Sequence, residues 1–373
     1  MQLVLLTDNK QCALICEDYW RQNEEGKFTL KVQEIATNHE MKPHIVSQLV
    51  EKNAYVWLST VCCVRCERPY RFGTRGHYQE RNQYKGTVCK DCTKAERHAI
   101  EDEKRCMLIK IRQSAESKEM DIKKLDLKST IYLLATILAL GDEHLSTIEP
   151  LLDYPPCTLS PDLIYDQKIL RYLLDKHLLL ISLNTPQEAI ELQGNDMVSI
   201  NFGISTFDLA LDQHQVSEFI AKFFDAAAIH NIKQSPSFVE LCKEVQLNEC
   251  LSFLKAMVKD HKLSMSPGEK TQQILSKCLE KFSVAQVYNF IWRAAKDAAA
   301  YYMRSSISKR QAANSVVGAI SRNMEQALAN SWEVKSFNRN YNFPQSELSR
   351  IIFNTILGTN DDGFKRPLHE LIE

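Results

Sequence analysis

The sequence predicts a mainly helical protein with several structural units and one small, cysteine-rich β segment. Its 373 residues exceed what one typical hydrophobic core accommodates. Glycine and proline number only 11 each, which argues against a large β architecture with many tight turns. Apolar residues recur at spacings of three and four through long C-terminal segments such as VAQVYNFIWRAAKDAAAYYM, as they do in amphipathic helices.

Changes in composition divide the chain into five segments. Residues 1–60 are predicted to form a compact helical domain, and residues 61–93 are rich in Cys, Arg, Gly and Tyr. Residues 94–128 are highly charged, with Glu, Lys and Arg at helical spacings, and are predicted to form an exposed linker helix. Residues 129–210 are interpreted as a winged-helix-like unit, and residues 211–373 as a helical C-terminal domain without a fixed-period repeat.

The winged-helix-like interpretation depends on the order of local patterns. A mostly apolar helix, STIYLLATILAL, opens the segment. Ser160-Pro161 is typical of a helix cap followed by a first-turn proline, and an amphipathic helix follows it. Residues 196–204 (DMVSINFGI) alternate like a strand. Residues 161–200 carry three basic and six acidic side chains, so packing is the expected role of this unit.

The composition is that of a folded soluble protein, with 44% apolar and 25% charged residues. The N-terminal residues lack the basic start and long apolar core of a signal peptide. The most apolar stretch, residues 130–141, is shorter than the roughly 20 residues that cross a bilayer. The sequence therefore predicts a cytoplasmic protein without membrane contact, whose twelve cysteines are metal ligands or buried thiols.

Four cysteines have the spacing of a structural zinc site. They form two CxxC pairs, Cys63-Val-Arg-Cys66 and Cys89-Lys-Asp-Cys92, with 22 residues between them. Two turns that each present two thiolates would close a tetrahedral site around one Zn²⁺ ion. The segment resembles a zinc ribbon, with a short β hairpin between the pairs and with Cys62 as a spare thiol. The alternative is two pairs of buried cysteines.

Residues 29–52 (TLKVQEIATNHEMKPHIVSQLVEK) carry the pattern of two short helices joined by a turn. The residues expected to face inward are Val32, Ile35 and Ala36 in the first helix and Val46, Leu49 and Val50 in the second. The pattern resembles the helix-turn-helix superfamily, with one departure, because Glu40 stands where the turn usually carries Gly.

If this unit reads DNA, its second helix presents five polar side chains to the groove, namely His44, Ser47, Gln48, Glu51 and Lys52. Residues 1–60 contain six Lys or Arg against eight Asp or Glu, which gives a net charge of −2 and predicts weak binding by this domain alone. The alternative is a helix-turn-helix used for packing or dimerisation.

Positive charge collects in two other places. Residues 61–92 have a net charge of +4, and their candidate nucleic-acid contacts are Arg65, Arg68, Arg71, Arg75, Arg81 and Lys85. The aromatic residues interleaved with them either stack on bases or build the core of the segment. The second place is Lys309 and Arg310, where a predicted helix N-terminus would also attract phosphate. The alternative there is a solvated helix face.

The chain lacks the nucleotide-binding, metalloprotease and hydrolase motifs GxxxxGK[ST], GxGxxG, HExxH and GxSxG, so we expect no enzyme activity. The sequence favours a zinc-containing nucleic-acid-binding protein, with DNA as its partner and a helical domain for self-association or effector binding. The alternative is a non-catalytic adaptor subunit of a larger complex, such as a phage-defence or mobile-element system.

Overall fold

The computed structural model is mainly helical, with 59% helix and 9% strand in small antiparallel sheets. The chain forms two compact units, residues 1–103 and residues 104–373. The structure describes residues 1–118, 124–194, 198–304 and 307–372. Parts of the predicted linker (residues 119–123) and of the predicted strand over 196–204 (residues 196 and 197) lie outside this described part.

A three-stranded antiparallel sheet runs through the first unit. It consists of β1 (Gln2–Leu5), β2 (Ala54–Cys62) and β3 (Pro69–Phe72) in the order β1-β2-β3. Leu3 pairs with Val56 on one side, and Val56 pairs with Phe72 on the other. Because β2 crosses the boundary expected at residue 60, the segments 1–60 and 61–93 share one sheet instead of forming separate domains.

Helices α1 (Lys10–Trp20) and α3 (Pro43–Asn53) pack on this sheet, and α2 (Val32–Asn38) packs against both helices. Asn9 caps α1 by accepting from the N–H groups of Gln11 and Cys12. The chain reverses between α2 and α3 at Glu40, whose φ is 53°. Glycine adopts this left-handed conformation most readily, so Glu40 takes the backbone geometry that favours Gly in such a turn.

The inward faces of α2 and α3 are those expected from the sequence, since Ile35, Ala36, Val46 and Val50 are buried. Aromatic residues from the cysteine-rich segment complete the same core. Phe72 and Tyr78 are buried beside Trp20, and Tyr70 and Tyr84 pack against the cluster. The interleaved aromatic residues therefore build the core, which leaves Phe72 and Tyr78 inaccessible to a stacking base.

After β3 the chain forms α4 (Arg75–Gln79), a 3₁₀ turn (Arg81–Tyr84) and the long helix α5 (Lys90–Glu116). The expected linker helix is therefore shorter at its C-terminal end than residues 94–128 and is not exposed throughout. Met107 and Leu108 lie in the part of α5 that belongs to the second unit. Both are buried, and Leu108 forms a small hydrophobic cluster with Ile181 and Ile190 of the same unit. Arg112 of α5 forms an ion pair with Asp208.

The second unit opens with a mixed segment of helices and short strands. Its elements are α6 (Leu127–Leu140), β4 (Thr147–Ile148), α7 (Leu163–Asp175), β5 (Leu179–Ile181), β6 (Ile190–Leu192), β7 (Val198–Ile200) and β8 (Phe207–Leu209). Strands β4, β8 and β5 form one antiparallel sheet in that order, and β6 and β7 form a separate hairpin. Asp126 caps α6 through the N–H of Ser129 at 2.7 Å.

The rest of this unit is helical. Its longer helices are α8 (Gln213–Phe223), α9 (Ala226–Lys233), α10 (Pro236–Asp260), α11 (Glu269–Leu279), α12 (Val284–Arg304) and α13 (Lys309–Ala329). Short helical segments follow at α14 (Glu347–Ser349), a π-helix (Arg350–Ile356), α15 (Asp362–Lys365) and α16 (His369–Ile372).

Helix α10 contributes to two hydrophobic cores. Phe238 and Leu241 near its start pack with α6, α7 and the π-helix. Phe253 and Leu254 near its end pack with α11, α12 and α13. Residues 211–373 are therefore not a separate domain, because the core of the winged-helix-like segment continues into α10.

A buried ionic cluster holds the C-terminal segment against α10. Arg339 contacts Asp361 at 2.8 Å and Glu249 at 3.4 Å, and Glu249 is only 4% exposed. Ser349 donates to Glu249 at 3.1 Å. Nearby, a Cβ on Gly363 would lie 2.3 Å from the ring of Phe353, so only glycine fits there. Breaking one partner of such a cluster leaves an uncompensated buried charge.

Asp166 in the first turn of α7 is a second buried carboxyl, and it generates a prediction about pH. Burial raises its pKa to about 7. The folded protein then keeps a proton that the unfolded chain releases near pH 4, so stability is lost as pH rises from about 4 to about 7.

We expect Asp166→Asn to remove this loss, because the amide cannot ionise. The free energy of unfolding of Asp166→Asn minus that of the unsubstituted chain should be larger by at least about 1 kcal/mol at pH 8 than at pH 4.5, which means that the variant gains relative stability at high pH. Urea unfolding at both pH values measures this difference. Asp153→Asn, at an exposed carboxylate, is the control and should show no such gain. An unchanged pH dependence in Asp166→Asn would contradict the assignment.

Candidate metal centre and its basic surroundings

The first cysteine pair lies in the connection between β2 and β3. The N–H of Cys63 donates to the carbonyl of Arg68 at 3.0 Å, and the N–H of Glu67 donates to the carbonyl of Cys63 at 3.0 Å. Glu67 has a φ of 57°, which reverses the chain just after Cys66. The hairpin therefore surrounds the first pair, whereas the sequence predicted a hairpin between the two pairs.

The second pair is presented by a helix. Cys89 immediately precedes α5, and Cys92 lies in its first turn, so the two thiols lie on one face. A loop ahead of the helix is attached to the hairpin, because the N–H of Val64 donates to the carbonyl of Thr87 at 3.1 Å and the hydroxyls of Tyr70 and Thr87 are 2.8 Å apart. The predicted zinc ribbon would instead present the second cysteine pair from a second turn.

The four sulfur atoms have the separation of a tetrahedral metal site. All lie within 4.8 Å of one another. The sulfurs of Cys63 and Cys92 are 3.9 Å apart, and those of Cys66 and Cys89 are 3.8 Å apart. Zn–S bonds of about 2.3 Å place tetrahedral sulfurs about 3.8 Å apart, and a disulfide would bring them to about 2.0 Å. The donor set and its spacing therefore fit zinc.

The local electrostatics also favour a cation. Backbone N–H groups of Cys66, Cys89 and Arg65 lower the pKa of Cys63 to about 6. Hydrogen bonds to the sulfurs of Cys66 and Cys89 favour the protonated form of Cys92 and raise its pKa to about 12. Four closely spaced thiolates repel one another, and a divalent ion removes that repulsion by binding all of them.

Cys62 lies beside this cluster without belonging to it. Its thiol donates to the carbonyl of Ser59 at 3.3 Å. The nearby His98 contacts Glu101 at 3.3 Å. Within the described part of the chain, the only group of three or more closely spaced metal-ligating side chains is the one formed by Cys63, Cys66, Cys89 and Cys92.

The structure gives Arg75 a different role from the predicted nucleic-acid contact. Its guanidinium donates to the carbonyl of Tyr19 and, at 2.7 Å, to that of Leu30. It also lies over the rings of Tyr19 and Phe28, 4.5 and 4.2 Å from their centroids. Burial lowers the pKa of Arg75. The residue therefore holds α1 and the chain before α2 against α4.

Two further predicted contacts have partners within the protein. Arg65 pairs with Glu96 at 3.1 Å, although both side chains are about half exposed. Arg81 donates to the carbonyl of Tyr78 at 3.0 Å and lies over its ring. Arg68, Arg71 and Lys85 are exposed, and Arg71 rests over Tyr55.

Two cations beside the metal centre lie outside the nucleic-acid contacts predicted from the sequence. Lys94 and Arg97 line a shallow cavity of about 470 Å³ together with Lys90, and Glu101 is its one acidic lining residue. Their positions in α5, four and seven residues after Lys90, place them on one helix face. The spacing of Lys90, Lys94 and Arg97 is present in the sequence, where the predicted linker helix over residues 94–128 includes Lys94 and Arg97.

Of the predicted contacts in α3, His44, Gln48 and Lys52 are exposed and Ser47 is half-buried. Ser47 donates to the carbonyl of Pro43 at 3.4 Å, so its hydroxyl is engaged within the helix.

Lys309 and Arg310 belong to the second unit. They are exposed in the first turn of α13, which begins at Lys309 after a capping box formed by Ser308 and Gln311.

Comparisons of the chain with protein-family models, with curated proteins and with solved structures find no match. Among the residues that the structure describes, no helix combines the length and apolar character of a membrane span.

The first prediction for this site concerns the metal. Replacing both cysteines of the second pair, Cys89→Ser and Cys92→Ser, should reduce bound zinc from about one ion per chain to near zero. Hydrogen exchange should become faster in residues 61–93 and stay unchanged in residues 124–372, because the ion joins only the hairpin and the start of α5. Metal analysis and exchange mass spectrometry measure the two effects.

Cys62→Ser is the matched control and should retain the ion, since this thiol lies outside the cluster. Less than about half an ion per chain in freshly reduced, unsubstituted protein would contradict a structural zinc site.

The second prediction concerns Arg75. Arg75→Ala should lower the free energy of unfolding of the first unit by about 3 kcal/mol, because it removes charged donors from two carbonyl groups. Arg71→Ala, which removes an exposed cation over one ring, should cost under about 1 kcal/mol. Hydrogen exchange of the backbone amides of α1–α3, followed in a urea titration, distinguishes the two variants. Equal, small effects would show that Arg75 does not stabilise the unit.

Proposed function

We propose that this chain is a zinc-containing DNA-binding protein whose first unit contacts the nucleic acid and whose second unit mediates self-association or binds an effector. The observation that carries the proposal is the group of exposed cations around the four cysteines. Arg68, Lys85, Lys90, Lys94 and Arg97 are exposed there, and none of them has an ion-pair partner among the described residues.

Their placement suits a polyanionic partner. Lys90, Lys94 and Arg97 lie on one face of α5. Arg68 and Lys85 lie in the two loops that contact each other through Val64 and Thr87. Neutralisation of phosphates by such side chains supplies most of the affinity of nonspecific binding. A zinc ion with four thiolates has a formal charge of −2, so its structural role is to fix both loops and the helix, while the cations contact the phosphates.

The pair α2 and α3 supports a role in base recognition. It resembles a helix-turn-helix, and the left-handed backbone at Glu40 has the conformation that such a turn requires. His44, Gln48 and Lys52 are exposed on α3. Phosphate contacts position a protein on DNA, and side chains in the groove specify the sequence. Because residues 1–60 have a net charge of −2, the cations of the metal centre supply the electrostatic attraction.

A closed shell of four thiolates leaves no position for water, so the proposal assigns no catalysis to the ion.

A second function, that of a non-catalytic adaptor subunit, is favoured by exposed apolar side chains in the second unit. Met303 and Tyr341 are 85% and 95% exposed, and Trp332 is 51% exposed. Large exposed apolar side chains are typical of protein-contact surfaces when they are contiguous. In this case the helix-turn-helix resemblance would reflect packing or dimerisation.

The test is binding of the zinc-loaded chain to labelled duplex and single-stranded DNA at roughly 50 and 200 mM salt, the range over which phosphate contacts lose affinity. Lys90→Glu combined with Lys94→Glu should weaken binding at least tenfold, and neutral Lys90→Gln with Lys94→Gln should reduce the salt slope by about 2. Metal analysis of each variant checks that the neighbouring cysteines still hold zinc.

The matched control is Lys10→Glu combined with Lys27→Glu, which makes the same charge change at exposed positions of the first unit outside the cavity that Lys90, Lys94 and Arg97 line. It should bind nearly as tightly as the unsubstituted chain. If no DNA binds at the lower salt concentration, or if both Glu pairs weaken binding equally, the metal-centre surface is not the DNA contact and the adaptor function gains support.

A further inference from the structure

A cavity of about 970 Å³ in the second unit is lined by α5, α7, β5 and the β6–β7 hairpin. Ligand sites for small molecules typically occupy about 300–1,000 Å³ and combine an apolar interior with a few polar groups. The cavity contains no residue of the metal centre, so it needs a separate explanation.

The interior of this cavity is apolar. Met107 of α5, Leu179 of β5 and Phe202 after β7 are buried side chains that line it. Ile200 on the hairpin is half-buried and completes this surface. Phe202 stacks on Phe207 at a centroid distance of 5.7 Å, which fixes its ring in place. A ligand that fills the cavity therefore needs an apolar or flat part.

The charged groups around the cavity are mostly basic. Lys110, Arg112, Lys118 and Arg171 line it, against Asp175 as the one carboxylate of the lining. Arg112 is neutralised by Asp208 and Glu116. Lys110 and Arg171 are exposed, and within the described part of the chain neither has an ion-pair partner.

Two of these cations, Lys118 and Arg171, have fixed neighbours. Lys118 is 3.0 Å from the Nε2 of His177, another lining residue, and this contact holds its ammonium beside the cavity. The guanidinium of Arg171 lies 5.5 Å from the ring centroid of Phe202, so a cation and an apolar wall are next to each other. The cavity thus offers positive charge beside an apolar surface.

We propose that this cavity binds a small phosphorylated ligand with a flat apolar part, a combination that nucleotides have. The phosphate would contact Lys110 and Arg171, since unpaired cations form strong hydrogen bonds with phosphate oxygens. The flat part would lie on Met107, Leu179 and Phe202. Ser114, Gln193 and Ser199 line the same cavity and supply hydrogen-bonding groups for its polar edges. The site is independent of DNA binding by the first unit.

Charge distribution favours a small ligand over a nucleic-acid strand. A strand needs cations in a row along a groove, whereas these surround one cavity with an apolar interior. Residues 161–200, which supply much of the lining, carry three basic and six acidic side chains, so the surrounding surface does not attract a polyanion.

The test is thermal unfolding of the full zinc-loaded chain with ATP, GMP or the dinucleotide pApA, and with sodium pyrophosphate as the anion without a base. At about 100-fold excess over Kd, a ligand should raise the Tm of the second unit by about 5 °C or more. Lys110→Glu combined with Arg171→Glu should weaken binding at least tenfold, because it replaces both unpaired cations with carboxylates.

The matched control is Arg105→Glu combined with Lys168→Glu. It makes the same charge change on the same two helices, at exposed positions outside the cavity lining, and should keep the Tm rise. The proposal fails if no nucleotide raises the Tm at millimolar concentration, or if pyrophosphate matches the nucleotides. The proposal also fails if the variant Lys110→Glu with Arg171→Glu keeps the rise in Tm, or if only single-stranded DNA binds at the cavity.

Discussion

The first unit depends on one constraint, the convergence of four sulfur atoms from two distant parts of the chain. Cys63 and Cys66 come from the β2–β3 connection, and Cys89 and Cys92 come from the start of α5. The loops between these elements contain few aliphatic side chains that could hold them together. An ion bound by these four thiolates would join hairpin and helix directly, and it would thereby place the cations of both loops and of α5 on a defined surface.

Several features could be predicted from the sequence because they are local. Two CxxC pairs identify the candidate ligands from spacing alone, and the sulfur distances fit the same ion. The start of α13 at Lys309 follows from the capping preference of Ser308. The buried faces of α2 and α3 follow from helical periodicity.

Other features depend on contacts between residues far apart in sequence. The hydrophobic periodicity of a segment does not reveal such contacts. An arginine in a basic segment looks like a phosphate ligand, but Arg75 finds its acceptors at Tyr19 and Leu30, 56 and 45 residues away. The pairing of β2 with β3 merges two predicted domains. Helix α10 likewise joins segments that composition had separated, because its two ends face different cores.

The position of the buried ionic cluster has a consequence for synthesis of the chain. The middle of α10 is covered by residues made 90 to 117 positions later, since Gln246 donates to the carbonyl of Gly363 at 2.7 Å and Glu249 contacts Arg339 and Ser349. On the ribosome, α10 emerges long before these partners do. The first unit needs no residue after 103, whereas the second must keep a carboxylate and apolar surface uncovered until residues 339–363 are translated.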